Sequence, residues 1–255
     1  MEKIAVTGAA GLIGTALCAD LRRDHEVVDI DVRDARTLAD VRDLAALERA
    51  VAGCAAVVHL AGIVTLGAQW DEVLAVNVAG TYNVFEAARR RGVRRVIFAS
   101  SNHAVGMHET NGGAGLYRPG AGVVVRTDDA FCPDSWYGVG KAFGEVLGRY
   151  FSDAFGLRVA CVRIGSIVAG DAPDDPRLGV PAWLPHLTPE DARARYAATW
   201  MSQRDFARLV RAILAHDVPF AAVYGVGDNA TRFWDLEPGR AIFGFWPLDG
   251  VKPTF

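Results

Sequence analysis

Short apolar segments alternate with helix-like segments along the first two thirds of this 255-residue chain. Five of the apolar segments are typical of strands: KIAVTG, EVVDID, AAVVHLAG, RRVIFASS and LRVACVRIGS. Helical spacing of apolar residues lies between them, most clearly from Gln69 to Arg91 and from Tyr137 to Phe155. Strands that alternate with helices favour a parallel sheet with helices on both faces. The pattern therefore predicts an α/β fold with a doubly wound parallel sheet, whose ligands bind beyond the carboxyl ends of the strands.

The alternation becomes less regular after Ser166. The stretch VAGDAPDDPRLGVPAWLPHLTPEDARARY carries five prolines and is typical of a loop with little regular structure. A helix at QRDFARLVRAILAH, a strand at AAVYGVG and an aromatic tail follow it. We therefore predict one domain over residues 1–255, in which residues 1–165 mainly bind a dinucleotide and residues 166–255 mainly form a small cap over the substrate.

The composition argues against nucleic-acid, membrane and metal-binding functions. The formal net charge is −3, so the chain lacks a basic footprint for nucleic acid or an anionic membrane. No apolar run reaches the length of a membrane-spanning helix, and the four cysteines have no metal-ligand spacing. The N-terminal MEKIAVTG enters a strand directly, without a charged and apolar leader. These features predict a soluble, reduced, cytoplasmic protein without a metal.

A glycine-rich turn joins the first strand to the first helix. TGAAGLIG places Gly8 at a tight turn, Gly11 where the backbone approaches a pyrophosphate, and Gly14 where helix packs closely on strand. The N-terminus of the helix then faces the phosphates. The turn therefore predicts dinucleotide binding.

Two carboxylates bear on which nucleotide is bound. Asp31 ends the second strand, where it can accept both ribose hydroxyls of NAD and repel the 2′-phosphate of NADP. Arg33 follows two residues later and could pair with that phosphate, so NAD is favoured and NADP stays open. Asp40 is placed to reach the adenine, although a helix N-cap accounts for it equally well.

A tyrosine and a lysine lie four residues apart on one face of a predicted helix. They are Tyr137 and Lys141, in WYGVGK. A free phenol has a pKa of about 10 and is a poor base at neutral pH. A nearby ammonium and a cationic nicotinamide would both lower the pKa of Tyr137. The phenol could then accept a proton from a substrate hydroxyl while hydride leaves for the cofactor.

Together these motifs resemble the extended short-chain dehydrogenase/reductases over almost the whole chain. The resemblance depends on the glycine-rich turn, Asp31, Asn77 in VNVAGT, the serine that ends FASS, and the Tyr137–Lys141 pair. It implies a Rossmann-type sheet, NAD as the cofactor and a catalytic set made of Asn77, Ser101, Tyr137 and Lys141. Ser101 would hold the reacting oxygen, and Asn77 would support a proton relay. Lys141 would hold the nicotinamide ribose and tune Tyr137.

The same resemblance implies a set of cofactor contacts along the strand ends. These are Gly8, Gly11, Leu12, Ile13, Gly14, Asp31, Asp40, Val41, Leu60, Ala61, Gly62, Asn77, Ala99, Tyr137, Lys141 and Ile164. Relatives with this fold are usually homo-oligomers, so a homo-oligomer is expected by analogy.

Four stretches are similar to uronate dehydrogenases, which oxidise C1 of hexuronates with NAD to give aldarolactones. The stretches are FASSNH, YGVGK, VRIGS and RYAATWMSQRDF. By this resemblance, the residues that would contact the sugar are Ser101, Asn102, His103, Tyr137 and Ser166. Arg195 would clamp the uronate carboxylate, which suits a guanidinium because it can donate two parallel hydrogen bonds. A solvated helix surface is the alternative for Arg195, and turn formation is the alternative for Asn102 and His103.

Three features depart from that family. Val64 stands where the family has a serine that contacts the substrate, and residues 107–135 and 170–193 look longer than the family's links. Long loops beside a site often act as lids or carry specificity. These departures leave a different sugar acid or polyol open.

The sequence therefore favours an NAD-dependent dehydrogenase that oxidises the C1 hydroxyl of a hexuronate to a lactone. The enzymatic alternative is an NAD(P)-dependent sugar epimerase or reductase of the same fold. A nucleotide-sensing regulator is a third interpretation, although such proteins usually lack the tyrosine–lysine pair.

Overall fold

Seven parallel strands form one sheet in the computed structural model, which describes residues 1–175, 178–182 and 184–252. The strands are β1 Lys3–Thr7, β2 Glu26–Asp31, β3 Thr37–Leu38, β4 Ala56–His59, β5 Arg95–Ser101, β6 Arg158–Ile164 and β7 Phe220–Gly225. Their order across the sheet is β3-β2-β1-β4-β5-β6-β7, which confirms the predicted doubly wound topology. The chain changes direction across the sheet between β1 and β4, and in such sheets a crevice for ligands opens at this point.

Nine α-helices connect or cover the strands in the described part of the chain. They are α1 Leu12–Leu21, α2 Leu44–Ala50, α3 Trp70–Val73, α4 Thr81–Arg90, α5 Met107–Gly112, α6 Trp136–Phe155, α7 Pro189–Thr199, α8 Gln203–Ala215 and α9 Glu237–Phe243. A π-helical segment, Leu74–Gly80, joins α3 to α4, so these three pieces together form the long helix predicted before β5. None of these helices is long and apolar enough to cross a membrane.

Each face of the sheet packs on its own apolar core. Along β5, Ile97 belongs to the core formed with α1 and α8, whereas Phe98 belongs to the core formed with α2, α4 and α6. This follows from strand geometry, because successive side chains point to opposite faces. Both cores are buried, so the sheet is a fixed platform for the polar residues that follow the strands.

Helix α6 lies unusually close to the sheet because one of its faces consists of glycines. A Cβ on Gly144 would lie 2.2 Å from the Phe98 ring, and a Cβ on Gly148 would lie 2.8 Å from Val159. A Cβ on Gly140 would lie 3.0 Å from that of Asn77, in the π-helical segment. The helix begins after Ser135, whose hydroxyl accepts a hydrogen bond from the amide of Gly138 at 3.1 Å. The glycine face thus sets the depth at which α6 holds its polar residues against β5.

A third apolar core joins the two long segments, residues 107–135 and 170–193, that were predicted to be loops. It contains Tyr117, Val125, Leu187 and Trp234, from both segments and the aromatic tail. The prediction of little regular structure after Ser166 is wrong for Pro189–Thr199, which forms α7. Thr188 caps this helix by accepting the amide hydrogen of Asp191 at 3.1 Å.

Three further elements were absent from the sequence interpretation. They are the two-residue strand β3, the helix α5 within residues 107–135, and the helix α9 in the aromatic tail. Residues 176, 177 and 183, in the middle of the predicted loop 170–193, lie outside the described residues. The division at residue 165 stays a prediction. Strand β7 lies after it and forms one edge of the sheet, so residues 166–255 also contribute to the sheet.

Replacing Gly144 by Ala should destabilise the protein although alanine is the better helix former. The new methyl group would collide with the Phe98 ring, which is only 1% exposed and has no space to move. Overpacking of this kind costs about 1–3 kcal/mol, so thermal unfolding should shift down by about 3–10 °C. Gly67→Ala is the control, because no atom lies within 4 Å of its Cβ position. Equal melting temperatures for the two variants would contradict the close packing of α6.

Candidate active site

A single large cavity of about 1440 Å³ opens at the carboxyl ends of the strands. All the predicted cofactor and substrate residues line it except Asn77. Those from the nucleotide end are Gly8, Gly11, Leu12, Ile13, Gly14, Asp31, Asp40, Val41, Leu60, Ala61 and Gly62. Those from the other end are Ala99, Ser101, Asn102, His103, Tyr137, Lys141, Ile164, Ser166 and Arg195. The structure therefore brings residues from widely separated stretches of sequence to one surface.

The glycine-rich turn has the backbone shape that a pyrophosphate needs. Gly8 has a φ of +72°, and a Cβ there would lie 2.7 Å from the backbone nitrogen of Ala61. A Cβ on Gly14 would lie 2.2 Å from the carbonyl oxygen of Gly8. No side chain caps the N-terminus of α1, so its first amides stay available to an anion. The turn thus fits the phosphates of a dinucleotide.

Asp31 is held in place by two backbone amides, one in the glycine-rich turn and one just after β2. One of its carboxylate oxygens accepts the amide hydrogen of Ala10 at 3.0 Å, and the other accepts that of Arg33 at 3.1 Å. A carboxylate has about four acceptor sites, so two bonds leave capacity for ribose hydroxyls. The residue is thereby fixed at the end of β2, where its charge faces the nucleotide end of the cavity.

Asp40 pairs with a neighbour instead of capping a helix. Its oxygens accept hydrogen bonds from the backbone and side chain of Arg42, which lower the pKa of the carboxyl group. The N-cap of α2 is Asp43, which accepts the amide hydrogen of Ala46 at 2.9 Å. Of the two interpretations of Asp40, the N-cap is therefore wrong, and contact with the adenine stays a prediction.

Tyr137 and Ser101 meet at the other end of the cavity. The Ser101 hydroxyl lies within hydrogen-bonding reach of the phenol and lowers its pKa, while the charge of Asp134 raises it. Burial is the largest effect; it outweighs the lowering by Ser101 and raises the pKa of Tyr137 to about 12. A lowered pKa was expected from the ammonium and a cationic nicotinamide, whereas in the protein itself removal of the phenol from water has the largest effect.

Lys141 lies on the same helix, one turn after the tyrosine. Its ammonium donates a hydrogen bond to the carbonyl oxygen of Ala99 at 2.7 Å and lies 5.5 Å from the centre of the Tyr137 ring. The residue is 5% exposed, and burial lowers its pKa to about 8. The ammonium thus lies between the end of β5 and the phenol, with donor capacity left for a ligand.

Asn77 lies behind the cavity wall rather than on it. Its side-chain oxygen accepts the amide hydrogen of Ile63 at 2.8 Å, and its side-chain nitrogen donates to the carbonyl oxygen of Ile63 at 2.9 Å. The amide therefore fixes the loop after β4, next to Gly62 and Lys141. Both polar ends of the side chain are engaged in this contact, so the geometry assigns Asn77 a positioning contact, and the proton relay remains an untested prediction.

Asn102 and His103 follow β5 in a short 3₁₀ turn capped by Ser101. The side-chain nitrogen of Asn102 is buried and has no hydrogen-bond partner among the residues that the structure describes. The imidazole of His103 is hydrogen-bonded through Nδ1 to Asp134 at 2.7 Å and lies 5.8 Å, ring to ring, from Tyr137. Buried donors without a partner are costly, so the Asn102 amide favours a polar ligand at this point.

Ser166 and Arg195 are linked through α7. The Ser166 hydroxyl shares a hydrogen bond of 2.8 Å with Thr199, whose hydroxyl donates to the carbonyl oxygen of Arg195 at 2.9 Å. The Arg195 side chain is 2% exposed, so the alternative of a solvated helix surface is wrong. Its guanidinium pairs with Glu109, a residue of α5.

Sequence reasoning missed four residues that shape this site. They are Ile63, Glu109, Tyr117 and Asp134, which hold Asn77, Arg195, Glu109 and His103 respectively. Glu109 lies 86 residues before its partner, and HETNG around it has no motif. Local patterns carry no signal for such contacts.

Comparison with known proteins places this geometry among sugar dehydrogenases. The NAD dependent epimerase/dehydratase family matches residues 4–227. An L-arabinose 1-dehydrogenase (NAD(P)(+)) of Haloferax volcanii is 36% identical over 260 residues, which cover 98% of this chain and 97% of that protein. An NAD-dependent glucose-6-phosphate dehydrogenase of the same organism is 32% identical over 262 residues, which cover 97% and 94%. A uronate dehydrogenase structure from Agrobacterium tumefaciens, a mutant complexed with NAD, has a TM-score of 0.78 at 31% identity and covers 98% of this chain and 86% of that one.

Replacing Asp31 by Asn should shift nucleotide preference towards NADPH. The amide keeps an acceptor for Ala10 but removes the charge that repels a 2′-phosphate. We expect the ratio of the NADH and NADPH affinities, measured by fluorescence titration, to move towards NADPH by about tenfold or more. Asp40→Asn is the control, because Arg42 already offsets the charge of Asp40. An unchanged ratio in the Asp31 variant would exclude this residue as the discriminator.

Proposed function

The chain belongs to the NAD dependent epimerase/dehydratase family, and from this premise we propose that it is an NAD-dependent sugar dehydrogenase that oxidises the C1 hydroxyl of a sugar ring to a lactone. The observation that carries the proposal is the meeting of Tyr137, Ser101 and Lys141 in the same cavity as the glycine-rich turn. A phenol, a hydroxyl and an ammonium in this arrangement suit proton removal from an alcohol.

The nucleotide end of the cavity would hold NAD. The backbone of the glycine-rich turn and the N-terminus of α1 would bind the pyrophosphate, and Asp31 would bind the adenosine ribose. The ammonium of Lys141, near the end of β5, would bind the second ribose. Bound NAD supplies the acceptor for the hydride that leaves C1 of the sugar.

Tyr137 and Ser101 would act on the oxygen attached to C1. Ser101 donates a hydrogen bond that orients this oxygen, and Tyr137 accepts its proton as the carbonyl group of the lactone forms. Because burial raises the pKa of Tyr137, the positive charges of Lys141 and of the bound cofactor are needed to favour the phenolate. A dry site strengthens those interactions, so burial also makes this control effective.

The polar groups beyond Ser101 are suited to a sugar. Asn102 presents a buried amide donor, His103 is oriented by Asp134, and Ser166 lies at the end of the next strand. Groups of this kind donate and accept hydrogen bonds with ring hydroxyls. They support a polyhydroxylated substrate rather than an apolar alcohol.

Two sugar classes fit this reaction. A hexuronate is the class that the sequence favours, through Arg195, and the similar A. tumefaciens structure is a uronate dehydrogenase. A neutral aldose is the second class, and the similar H. volcanii protein is an L-arabinose 1-dehydrogenase. The pairing of Arg195 with Glu109 is the specific observation that favours the second class.

Replacing Tyr137 by Phe tests the proposed base. Loss of the hydroxyl should lower kcat by about 10²- to 10⁴-fold, measured as NADH absorbance with aldoses and sugar acids. The affinity for NAD should stay within a few-fold of the unmodified protein. Tyr150→Phe is the matched control, since Tyr150 lies on the same helix but is 58% exposed. Full turnover in the Tyr137 variant would rule out the mechanism.

Turnover should rise with pH. Tyr137 acts as a base only when it is ionised, and burial holds its pKa at about 12 in the free protein, so the phenolate fraction grows throughout the working range. We expect kcat/KM to rise from about pH 6 to pH 8, by up to about tenfold per pH unit. The rise should level off above that range, because the pKa of Lys141 is lowered to about 8 and its charge is then lost. A maximum in the acid range, with NAD affinity unchanged, would contradict this role.

A further inference from the structure

Arg195 already carries a carboxylate that belongs to the protein. Its Nε donates to Oε1 of Glu109, and its Nη2 donates to Oε2 at 3.1 Å, which is a two-point pairing. The hydroxyl of Tyr117 donates to the same Oε1 at 2.8 Å. All three side chains are at most 3% exposed. The guanidinium is thus fixed and its charge is balanced inside the protein.

The Arg195–Glu109 pair lies at the end of the cavity where Ser101, Asn102 and His103 would hold the sugar, here called the sugar end. Arg195 is part of the cavity wall, as are Met107 and Thr110 on either side of Glu109. Glu109 is not part of that wall, so it lies behind the guanidinium and not in the space for the ligand. A ligand in the cavity would therefore meet an arginine that already has a counter-ion.

Three other lysine or arginine side chains belong to the described cavity wall. Arg33 and Arg42 lie at the nucleotide end, and Arg42 pairs with Asp40. Lys141 donates to the carbonyl oxygen of Ala99 beside the phenol. Within the described residues, recognition of an anionic group at the sugar end would therefore fall to Arg195.

Binding of a charged sugar beside Arg195 would be unfavourable in free energy. Its carboxylate or phosphate would lose water on entering the cavity and would add a second negative charge beside a guanidinium that Glu109 already neutralises. Displacing Glu109 would leave that carboxylate buried without its partner. A neutral sugar carries neither cost.

From this geometry we infer that Glu109, rather than a substrate carboxylate, balances the charge of Arg195. The cavity therefore accepts neutral aldoses and discriminates against hexuronates and sugar phosphates. The inference rests on the proposed function, because it names the substrate class of the same site. It also gives a role to the two long segments: α5 supplies the carboxylate, and α7 supplies the guanidinium.

The unmodified enzyme tests this with sugars that differ only at C5. L-Arabinose, D-galactose and D-galacturonate form one series, in which the C5 substituent is hydrogen, hydroxymethyl or carboxylate. D-Xylose, D-glucose and D-glucuronate form a second, and D-glucose 6-phosphate adds another anion. A charged contact is worth about 10- to 100-fold, so kcat/KM with the best neutral sugar should exceed that of its acid by more than tenfold. A ratio of ten or less overturns the inference.

The Glu109→Gln variant tests which residue sets the preference. Removing the carboxylate charge frees Arg195 for an external anion, so the acid-to-neutral ratio of kcat/KM should rise by about tenfold or more. Glu145→Gln is the matched control, because Glu145 forms a buried two-point pair with Arg163 and neither residue is part of the cavity wall. It should lower stability comparably and leave the ratio unchanged. An equal ratio in the Glu109 variant and the unmodified enzyme would refute the assignment.

The outcomes separate the inference from the proposed function. NADH formed from hexuronates in preference to neutral sugars overturns the inference alone and leaves a dehydrogenase. NADH formed from none of the sugars, with NAD binding intact, overturns the proposed function and the inference with it. If Glu109→Gln does not fold, the comparison of matched sugars on the unmodified enzyme still decides.

Discussion

The contact between α6 and β5 is the constraint on which the rest of the site depends. Because Gly144 has no Cβ, the Phe98 ring fills the space beside the helix, and α6 lies close enough for Lys141 to reach the carbonyl oxygen of Ala99. The same approach brings Tyr137 to Ser101 at the end of the strand. A helix held even one methyl group farther away would separate the phenol from the hydroxyl. The chemistry of the site is therefore set by packing between two elements that are each mostly apolar.

The segments that contain α5 and α7 contribute burial and charge rather than reacting groups. The segments around α5 and α7 pack with the aromatic tail into a core of their own, and this core holds Glu109, Tyr117 and Arg195 in contact. Burial explains the raised pKa of Tyr137 and the lowered pKa of Lys141, since both charged forms lose water. Substrate choice and acid–base behaviour thus share one physical origin, the exclusion of water beyond the strand ends.

Sequence patterns predicted six of the seven described strands, the glycine-rich turn and the positions of Tyr137 and Lys141, because each depends on local spacing. They did not predict α7, whose short alanine-rich sequence has no apolar stripe, nor the contact of Arg195 with Glu109 across 86 residues. Asn77 was expected to support a proton relay, whereas its engagement with the backbone of Ile63 depends on a loop conformation that no motif encodes. Sequence patterns do not predict the pairing of distant polar groups, because only the assembled core determines it.

The central claim is that Tyr137 and Ser101 act on the hydroxyl at C1 of a sugar. Transfer of the C1 hydrogen tests it most directly. Aldoses deuterated at C1 would be incubated with the protein and NAD, and the reduced nucleotide would be isolated and examined by NMR. The account predicts deuterium at C4 of the nicotinamide and a lactone that has lost it. Deuterium kept entirely in the sugar, or reduced nucleotide formed without it, would contradict oxidation at C1.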